Sequence, residues 1–284
     1  MPDQKVSAKT EATTIGATDL VPVVQGGVTK KAQASTLAKA MQQDRRYYYE
    51  WWDDFEMPLG SAVGGPWDFA QAGTGAGFIQ TTPGVVTDTR LGIAHLETGT
   101  VATNYIVMTR SYDLTVSYRN VYIVGTTDLV FETEVYVSAV PSAAQTYIAF
   151  VGFCDRTGTV VDGSVDAIFA RIVYDSGSTS ARWQLYCRKA SANSLTLAST
   201  GPTAATWYHI KLVVNSTTVT MYVDGTQVAQ EAVVANIPVA EMTLGQGIIK
   251  SVGATNILFL LDYVWVWKKW ASAAKSQYLS VPFV

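Results

Sequence analysis

The chain has 284 residues, of which 48% are hydrophobic, so it can bury one large core and still carry a small appendage. Only 15% of the residues are charged, whereas Tyr, Trp, Gly, Thr and Val are frequent, which is the composition of a β-rich protein. A formal net charge of -3 gives no broad attraction to nucleic acid or to an acidic membrane, so we expect neither as a partner.

The first residues, MPDQKVSAKTEATT, are polar and lack the apolar segment of a secretory signal peptide. The longest purely apolar run near the other end, Ile257 to Leu261, is far too short to cross a bilayer. We therefore expect a soluble protein that is made in a cytoplasm, is not exported by a standard route and is not inserted into a membrane.

Residues 1–46 differ in character from the rest of the chain. The apolar run Leu20–Val24, the turn residues Gln25–Gly27 and the run Val28–Ala32 predict a small hairpin. A short helix is predicted to begin at Ser35, a plausible N-cap that precedes good helix formers. So small a unit buries too little surface to be stable alone, so we expect it to dock on the main domain or on another protein.

This segment resembles a known kind of protein. The stretch TIGATDLVPVVQGGVTKKAQASTL, with the form D-x-x-P-V-V-Q-G-G-x-T-K-K, is similar to an N-terminal segment of tailed-bacteriophage virion proteins, especially fibre and spike subunits. The resemblance implies an attachment or trimer-initiating segment, and it leaves open whether the segment attaches to the tail or to the head. The implied attachment residues are Asp19, Leu20, Pro22, Val23, Val24, Gln25, Gly26, Gly27, Lys30 and Lys31.

An aromatic cluster, RRYYYEWWDDF, opens the large domain that we place at residues 47–270. Its part from Trp51 to Glu56 resembles the first strand of bacteriophage jelly-roll domains, which often begin with a similar D-D-F-E string. We expect these aromatic side chains to line a core edge or a subunit interface. A platform that stacks nucleic-acid bases would need more cations than Arg45 and Arg46 provide.

Short β segments separated by turn residues fill the large domain. Outside the hairpin described next, the predicted strands are Val101–Arg110, Leu129–Val137, Gln145–Cys154, Asp166–Tyr174, Arg182–Lys189 and Leu258–Lys268. The absence of a helical period between them favours a β-sandwich, and the absence of an internal repeat excludes a propeller or a β-helix. Residues 271–284 are predicted to form an extended tail that packs on the domain or on a neighbour.

The stretch TWYHIKLVVNSTTVTMYVDG, from Thr206 to Gly225, predicts an antiparallel hairpin with one buried face. Its first run places Tyr208, Ile210, Leu212 and Val214 on one face and Trp207, His209 and Lys211 on the other. The polar residues 215–218 supply the turn, after which Val219, Met221 and Val223 repeat the apolar face. The pair Asp224-Gly225 suits a second tight turn.

The same hairpin carries the second resemblance. W-Y-H-I-K-L-x-V, a polar turn and V-T-M-Y-V-D-G are similar to the penultimate hairpin of concanavalin A-like, laminin-G-type jelly rolls. The resemblance implies two curved antiparallel sheets packed face to face, a fold that hosts lectins, hydrolases and plain structural modules. The predicted fold class is therefore all-β, a concanavalin A-like jelly-roll β-sandwich preceded by a hairpin-plus-helix anchor.

Glu132 and Glu134 are the sharpest catalytic candidates. They stand at positions i and i+2 of one predicted strand, roughly 7 Å apart, a separation that could serve glycoside hydrolysis. Jelly-roll glycosidases place a longer carboxylate series on one strand, and this chain lacks the central Asp and the third carboxylate of that series. We therefore predict the polar outer face of a strand and no catalytic residues, with a glycan depolymerase as an alternative.

Other catalytic and metal sites have little support. No G-x-S-x-G elbow accompanies His95 and His209, and the two His and two Cys residues do not have zinc-ligand spacing. Cys154 and Cys187 are expected to be reduced core residues. No cofactor is predicted, although Asp155, Asp162 and Asp166 leave calcium open, because laminin-G-like domains sometimes hold it with loop Asp residues.

A sugar is the ligand that the sequence favours most. The expected outer face of the central strands carries aromatic rings beside hydrogen-bonding groups, which suit the apolar faces and polar edges of a sugar ring. The members of this face are Glu132, Glu134, Tyr136, Arg171, Gln184, Tyr186, Arg188, Trp207, His209, Lys211 and Tyr222. The same set could instead be buried against a subunit or covered by loops, and a surface rich in Tyr and Trp is also typical of protein interfaces. The glycan-binding candidates are Tyr136, Arg171, Tyr186, Arg188, Trp207, His209 and Tyr222.

Together these features predict a structural, non-enzymatic bacteriophage virion protein. It would be made in the host cytoplasm, be attached to other virion proteins by its N-terminus, form a homotrimer and present a lectin-like sandwich to host-surface polysaccharide. A tail fibre or spike is the favoured version. A capsid-decorating or head-fibre protein is the alternative, because the chain has no long shaft repeat.

Overall fold

The computed structural model describes residues 20–25, 28–33, 48–53, 55, 67–81, 92–110, 122–123, 128–155 and 166–269. These ranges contain eighteen strands. In chain order they are β1 (Leu20–Gln25), β2 (Val28–Gln33), β3 (Tyr48–Asp53), β4 (Asp68–Ala72), β5 (Gly77–Thr81), β6 (Ile93–Glu97), β7 (Tyr105–Thr109), β8 (Tyr122–Ile123), β9 (Leu129–Val137), β10 (Tyr147–Cys154), β11 (Ala167–Asp175), β12 (Ser180–Lys189), β13 (Ala192–Leu197), β14 (Thr206–Val214), β15 (Val219–Val223), β16 (Thr226–Glu231), β17 (Glu241–Lys250) and β18 (Leu258–Lys269). The helix predicted from Ser35 and the tail at 271–284 lie outside the described residues.

The chain divides into two compact units. The first comprises Met1–Tyr48 with Ser272–Val284, and the second comprises Tyr49–Ala271. In the first unit, β1 pairs antiparallel with β2, and Gln25 stands opposite Val28 at the closed end of the hairpin. The predicted N-terminal hairpin is therefore confirmed.

The second unit is built from two antiparallel sheets. Sheet I has the strand order β13-β12-β11-β10-β17-β7-β4, and β8 also pairs with β17. Sheet II has the order β16-β15-β14-β9-β18-β6-β5, and β3 also pairs with β18. The predicted all-β sandwich is confirmed.

Period-two alternation places the core between the sheets. In β9 the residues alternate between buried and half-buried positions, with Phe131 and Thr133 fully buried. In β18 the fully buried Val264 and Val266 alternate with half-buried tryptophans. Sheet I contributes residues such as Phe153 and Ile168 to the same apolar cluster. Each strand therefore gives alternate side chains to one shared core.

The predicted hairpin from Thr206 to Gly225 is confirmed as β14 and β15. Ile210, Leu212 and Val214 are fully buried. The turn between the strands is closed by the Asn215 side chain, whose Oδ1 accepts hydrogen bonds from the backbone N–H groups of Thr217 and Thr218 at 2.9 and 2.7 Å. Along its other edge, β14 pairs with β9, and this pairing places the hairpin next to Glu132 and Glu134.

Several predicted bounds were wrong. The strand expected at Val101–Arg110 begins only at Tyr105, because residues 98–104 form a polar corner in which Asn104 donates hydrogen bonds to the carbonyls of Thr98 and Thr74. The first strand of the large domain is Tyr48–Asp53 and therefore starts before the predicted Trp51.

Within the described part of the chain, no helix is long and apolar enough to cross a membrane.

Cys154 and Cys187 are both buried, and no disulfide joins them. Both stand next to β11, where Cys154 opposes Ala167 and Cys187 opposes Ile168, so this strand separates the two residues. Their side chains also point to opposite faces of sheet I, since Cys187 belongs to the core and Cys154 to a second cluster on the outer face. Burial, with a smaller contribution from Glu231, raises the pKa of the Cys187 thiol. The geometry therefore excludes a disulfide between them.

Candidate functional site

The glycan-binding candidates lie on two different surfaces, the outer faces of the two sheets. The sheet I set is Arg171, Tyr186 and Arg188, and the sheet II set is Tyr136, Trp207, His209 and Tyr222. The expectation of one continuous face was wrong, because β11 and β12 belong to one sheet whereas β9, β14 and β15 belong to the other. Alternation along each strand was assigned correctly, but membership of a sheet is set by long-range pairing.

On sheet I the outer face forms a depression with a volume of about 570 Å³. We call it the Arg171 groove, and its lining includes Ile148, Arg171, Gln184, Arg188, Leu195 and Leu197. The strand register builds it, because Arg171 stands opposite Gln184 and Gln184 stands opposite Leu197 across β11, β12 and β13. Three neighbouring strands thus bring cationic, amide and aliphatic side chains together in one place.

The groove combines a polar floor with an apolar wall. Arg171 and Gln184 are only 6% and 8% exposed, and they form the floor. Leu195 and Leu197, on the edge strand β13, are 56% and 47% exposed and form the wall. Gln184 makes no side-chain hydrogen bond to the described residues, so its amide can donate to and accept from a ligand.

Three aromatic rings in contact with one another support the floor. The ring of Phe169 lies between those of Phe150 and Tyr186, at centroid distances of 4.9 and 6.2 Å. The guanidinium of Arg171 lies over the Tyr186 ring at 3.5 Å from its centroid, a cation–π contact. The Tyr186 hydroxyl in turn donates to Asn193 Oδ1 at 3.0 Å. Tyr186 is 3% exposed, so its ring positions the arginine and leaves no face for a sugar to stack on.

One rim of the groove carries Asp175, whose carboxylate is already bound by neighbouring groups. Ser178 Oγ donates to it at 2.7 Å, the Gly177 N–H donates at 3.0 Å, and Arg182 Nε lies 3.8 Å away. The Ser178 hydrogen bond, followed by the Gly177 hydrogen bond, lowers the pKa of Asp175. This aspartate therefore orders the β11–β12 turn.

On sheet II the outer face is an aromatic and ionic surface. Tyr136 and Trp207 stand opposite each other on β9 and β14, with ring centroids 5.5 Å apart. Glu132 forms an ion pair with Lys211, whose Nζ lies 2.7 Å from Oε1, and its Oε2 lies within hydrogen-bond distance of His209 Nε2, at 3.1 Å. Both carboxylate oxygens of Glu132 are therefore engaged within the protein.

The wall of the Arg171 groove was missed at the sequence level. β13 reads ANSLTL, which is too polar to stand out as a strand, although Asn193, Leu195 and Leu197 do alternate. The preceding turn lacks Gly and Asn, and it places Ala190 and Ser191 at φ values of 49° and 69°. Without a turn signal, the alternation was the available evidence for this strand.

Among the residues that the structure describes, no group of three His, Cys, Asp or Glu side chains could hold a metal ion. Asp162, one of the three residues considered for calcium, lies outside the described ranges. Of the other two, Asp155 donates its backbone N–H to the Asp166 carbonyl at 3.0 Å, and Asp166 Oδ1 accepts from the Ala190 N–H at 3.2 Å. The calcium hypothesis stays a prediction.

Known structures share this fold at low sequence identity. A protein of unknown function from Shewanella oneidensis has a TM-score of 0.52 and 16% identity, and the match covers 79% of this chain and 88% of that one. Peanut lectin with a nine-residue peptide gives 0.51 and 10%, with 78% and 97% covered. Endo-β-1,4-glucuronan lyase from the fungus Trichoderma reesei gives 0.51 and 11%, with 76% and 94% covered. A lectin and an enzyme thus both have this fold.

No curated protein matches the sequence significantly. Residues 108–275, more than half of the chain, match the family described as the concanavalin A-like lectin/glucanases superfamily. The matched range contains the hairpin β14–β15 and the three strands that build the Arg171 groove. The chain belongs to the concanavalin A-like lectin/glucanases superfamily.

Proposed function

We propose that the protein is a non-catalytic glycan-binding module whose binding site is the Arg171 groove. The observation that carries the proposal is the combination of an apolar wall, Leu195 and Leu197, with a polar floor that includes the nearly buried amide of Gln184. A sugar has apolar ring faces and hydroxyl-bearing edges, so it can use both surfaces at once. A volume of about 570 Å³ also lies within the range of about 300–1,000 Å³ that is usual for ligand pockets.

Gln184 offers the sharpest test of this site. Gln184→Met keeps the size of the side chain but removes its hydrogen bonds, so we expect binding to the best ligand on a glycan array to weaken about tenfold. The matched control is Gln227→Met, which changes an exposed glutamine on β16 and should bind like the parent protein. Equal binding by the parent and the Gln184 variant would mean that the glycan does not bind in the Arg171 groove.

The wider proposal is that this module belongs to a bacteriophage virion appendage. Its support is the D-x-x-P-V-V-Q-G-G-x-T-K-K motif together with the antiparallel pairing of β1 with β2. In this reading a homotrimeric tail fibre or spike attaches to other virion proteins through its N-terminus and presents the sandwich to host polysaccharide. A head-fibre protein that decorates the capsid is the alternative.

Electron microscopy of particles with a label at the C-terminus of this protein separates the two versions. Label at the tail tip or baseplate supports the tail fibre or spike, and label distributed over the head supports the capsid-decorating protein. Particles without label would contradict both versions. Sedimentation of the full chain tests the trimer separately.

A glycan depolymerase that uses Glu132 and Glu134 is the alternative from another class. On the outer face of sheet II, the Glu132 carboxylate contacts the Lys211 ammonium group and the His209 imidazole ring. Replacing both glutamates by Gln should abolish cleavage if this reading is right. If the parent protein binds a glycan and leaves it intact, the enzyme reading fails.

A further inference from the structure

Two of the three charged side chains that the described residues contribute to the lining of the Arg171 groove are arginines. Arg171 and Arg188 line it from β11 and β12, and Asp175 is the acidic side chain that the described residues contribute to the lining. That carboxylate is bound by Ser178, the Gly177 N–H and Arg182, as described above. On the part of the lining that the structure describes, a ligand that enters the groove therefore meets two guanidinium groups and one carboxylate.

Arg171 is held in a fixed orientation. Its guanidinium lies 3.5 Å from the Tyr186 ring centroid and 5.9 Å from the Phe169 centroid. Tyr186 is itself fixed by stacking on Phe169 and by its hydrogen bond to Asn193. An arginine that is ordered before binding loses little conformational entropy when it pairs with a ligand, and its planar donors match the two oxygens of a carboxylate.

We infer that the Arg171 groove takes a glycan whose sugars carry carboxylate groups, such as a chain of uronic acids. This inference rests on the proposed function and names the ligand class of the same site. A neutral glycan would leave the two guanidinium groups beside sugar hydroxyls, which make weaker hydrogen bonds with cations than carboxylates do.

The groove also has side chains that can contact the ring face and the hydroxyl groups of such a sugar. The carboxylate of a uronic acid projects from one edge of the ring, while the C–H groups of the ring face remain apolar. Leu195 and Leu197 offer an apolar wall to that face, and Gln184, on the floor beside Arg171, offers hydrogen bonds to the hydroxyls. One acidic sugar can thus contact all three kinds of surface.

The test uses the full-length protein on a glycan array with neutral, uronate-containing and sialylated glycans. Each carboxylated glycan is also printed as its methyl ester, which has the same ring but no charge. We expect the best ligand to be carboxylated and its methyl ester to bind at least tenfold more weakly. Arg188→Gln should weaken binding of that ligand about tenfold to a hundredfold.

Lys189→Gln is the matched control, because it removes one positive charge at the neighbouring position of β12 and does not line the groove. It should bind like the parent protein. Circular dichroism identifies a variant that has lost its fold. In that case the binding of the acid and of its methyl ester to the parent protein still shows whether the ligand's carboxylate is needed.

Three results would contradict the acidic ligand, the groove or the glycan-binding function. Preference for neutral glycans, or equal binding of acids and methyl esters, overturns the acidic ligand and leaves the glycan-binding function intact. Equal losses in Arg188→Gln and Lys189→Gln would mean that general charge, and not the groove, attracts the ligand. If no glycan binds, the proposed function fails together with the inference.

Discussion

At the scale of single residues, Gln246 is an amide placed in an apolar core. It is fully buried on β17, on the same side of the strand as the core residues Leu244 and Ile248. Neither its Nε2 nor its Oε1 makes a hydrogen bond within the described structure. A buried amide without partners loses its hydration and gains nothing in return, so this residue costs stability.

Gln246→Met should therefore stabilise the protein. Methionine has a similar length and no group that needs a hydrogen bond, so the free energy of unfolding should rise by about 1–2 kcal/mol. Urea unfolding of the parent, this variant and the exposed control Gln227→Met measures the change, and the control should stay close to the parent. A stability loss in Gln246→Met would mean that the amide has a partner and a structural role.

At the scale of elements, Glu231 connects the edges of the two sheets. It lies at the end of β16 in sheet II, and the hydroxyl of Ser194, on β13 of sheet I, donates to its Oε2. The Val233 N–H donates to Oε1 at 2.7 Å and Asn236 Nδ2 donates to Oε2 at 3.2 Å. Burial alone would raise the pKa of Glu231, but these hydrogen bonds outweigh it and the pKa is lowered.

Glu231→Gln should destabilise the protein by about 1–3 kcal/mol at neutral pH, because an amide accepts these hydrogen bonds less well than a carboxylate. Since the folded-state pKa lies below the ordinary value of 4.5, the carboxylate's contribution is present above that pH. It is lost as the pH falls through the folded-state pKa. The gap between parent and variant should therefore close in acid.

Urea unfolding at a series of pH values measures this gap, with Asp128→Asn, at an exposed position before β9, as the control that should show no such gap. A gap that stays constant down to pH values well below 4.5 would contradict the assigned role of the carboxylate.

Some strands could be predicted from the sequence and others could not. β9 alternates strictly between buried and half-buried residues, and the second half of β14 does the same, so the bounds and most of the buried face of these strands were predicted correctly. β17 has Gly245 and Gly247 on its outer face, where a Cβ at Gly245 would lie 2.7 Å from Cys154 Sγ. Such close-packed glycines weaken the strand pattern, and β17 was not predicted.

At the scale of the whole molecule, the long-range pairings decide where a site can form. Residues that look alike in sequence, such as Tyr136 and Tyr186, end up on opposite outer faces because their strands join different sheets. The family resemblance predicted two sheets but not how the candidates are divided between them. The proposed glycan-binding site accordingly lies on one outer face, over β11, β12 and β13.

Hydrogen exchange measured by mass spectrometry, with and without the best-binding glycan, locates this site. We expect slower exchange in peptides from residues 167–197, above all on the edge strand β13, and unchanged exchange in β9 and β14. Protection confined to the Tyr136 and Trp207 face, with none on β13, would rule out the Arg171 groove and move the binding site to sheet II.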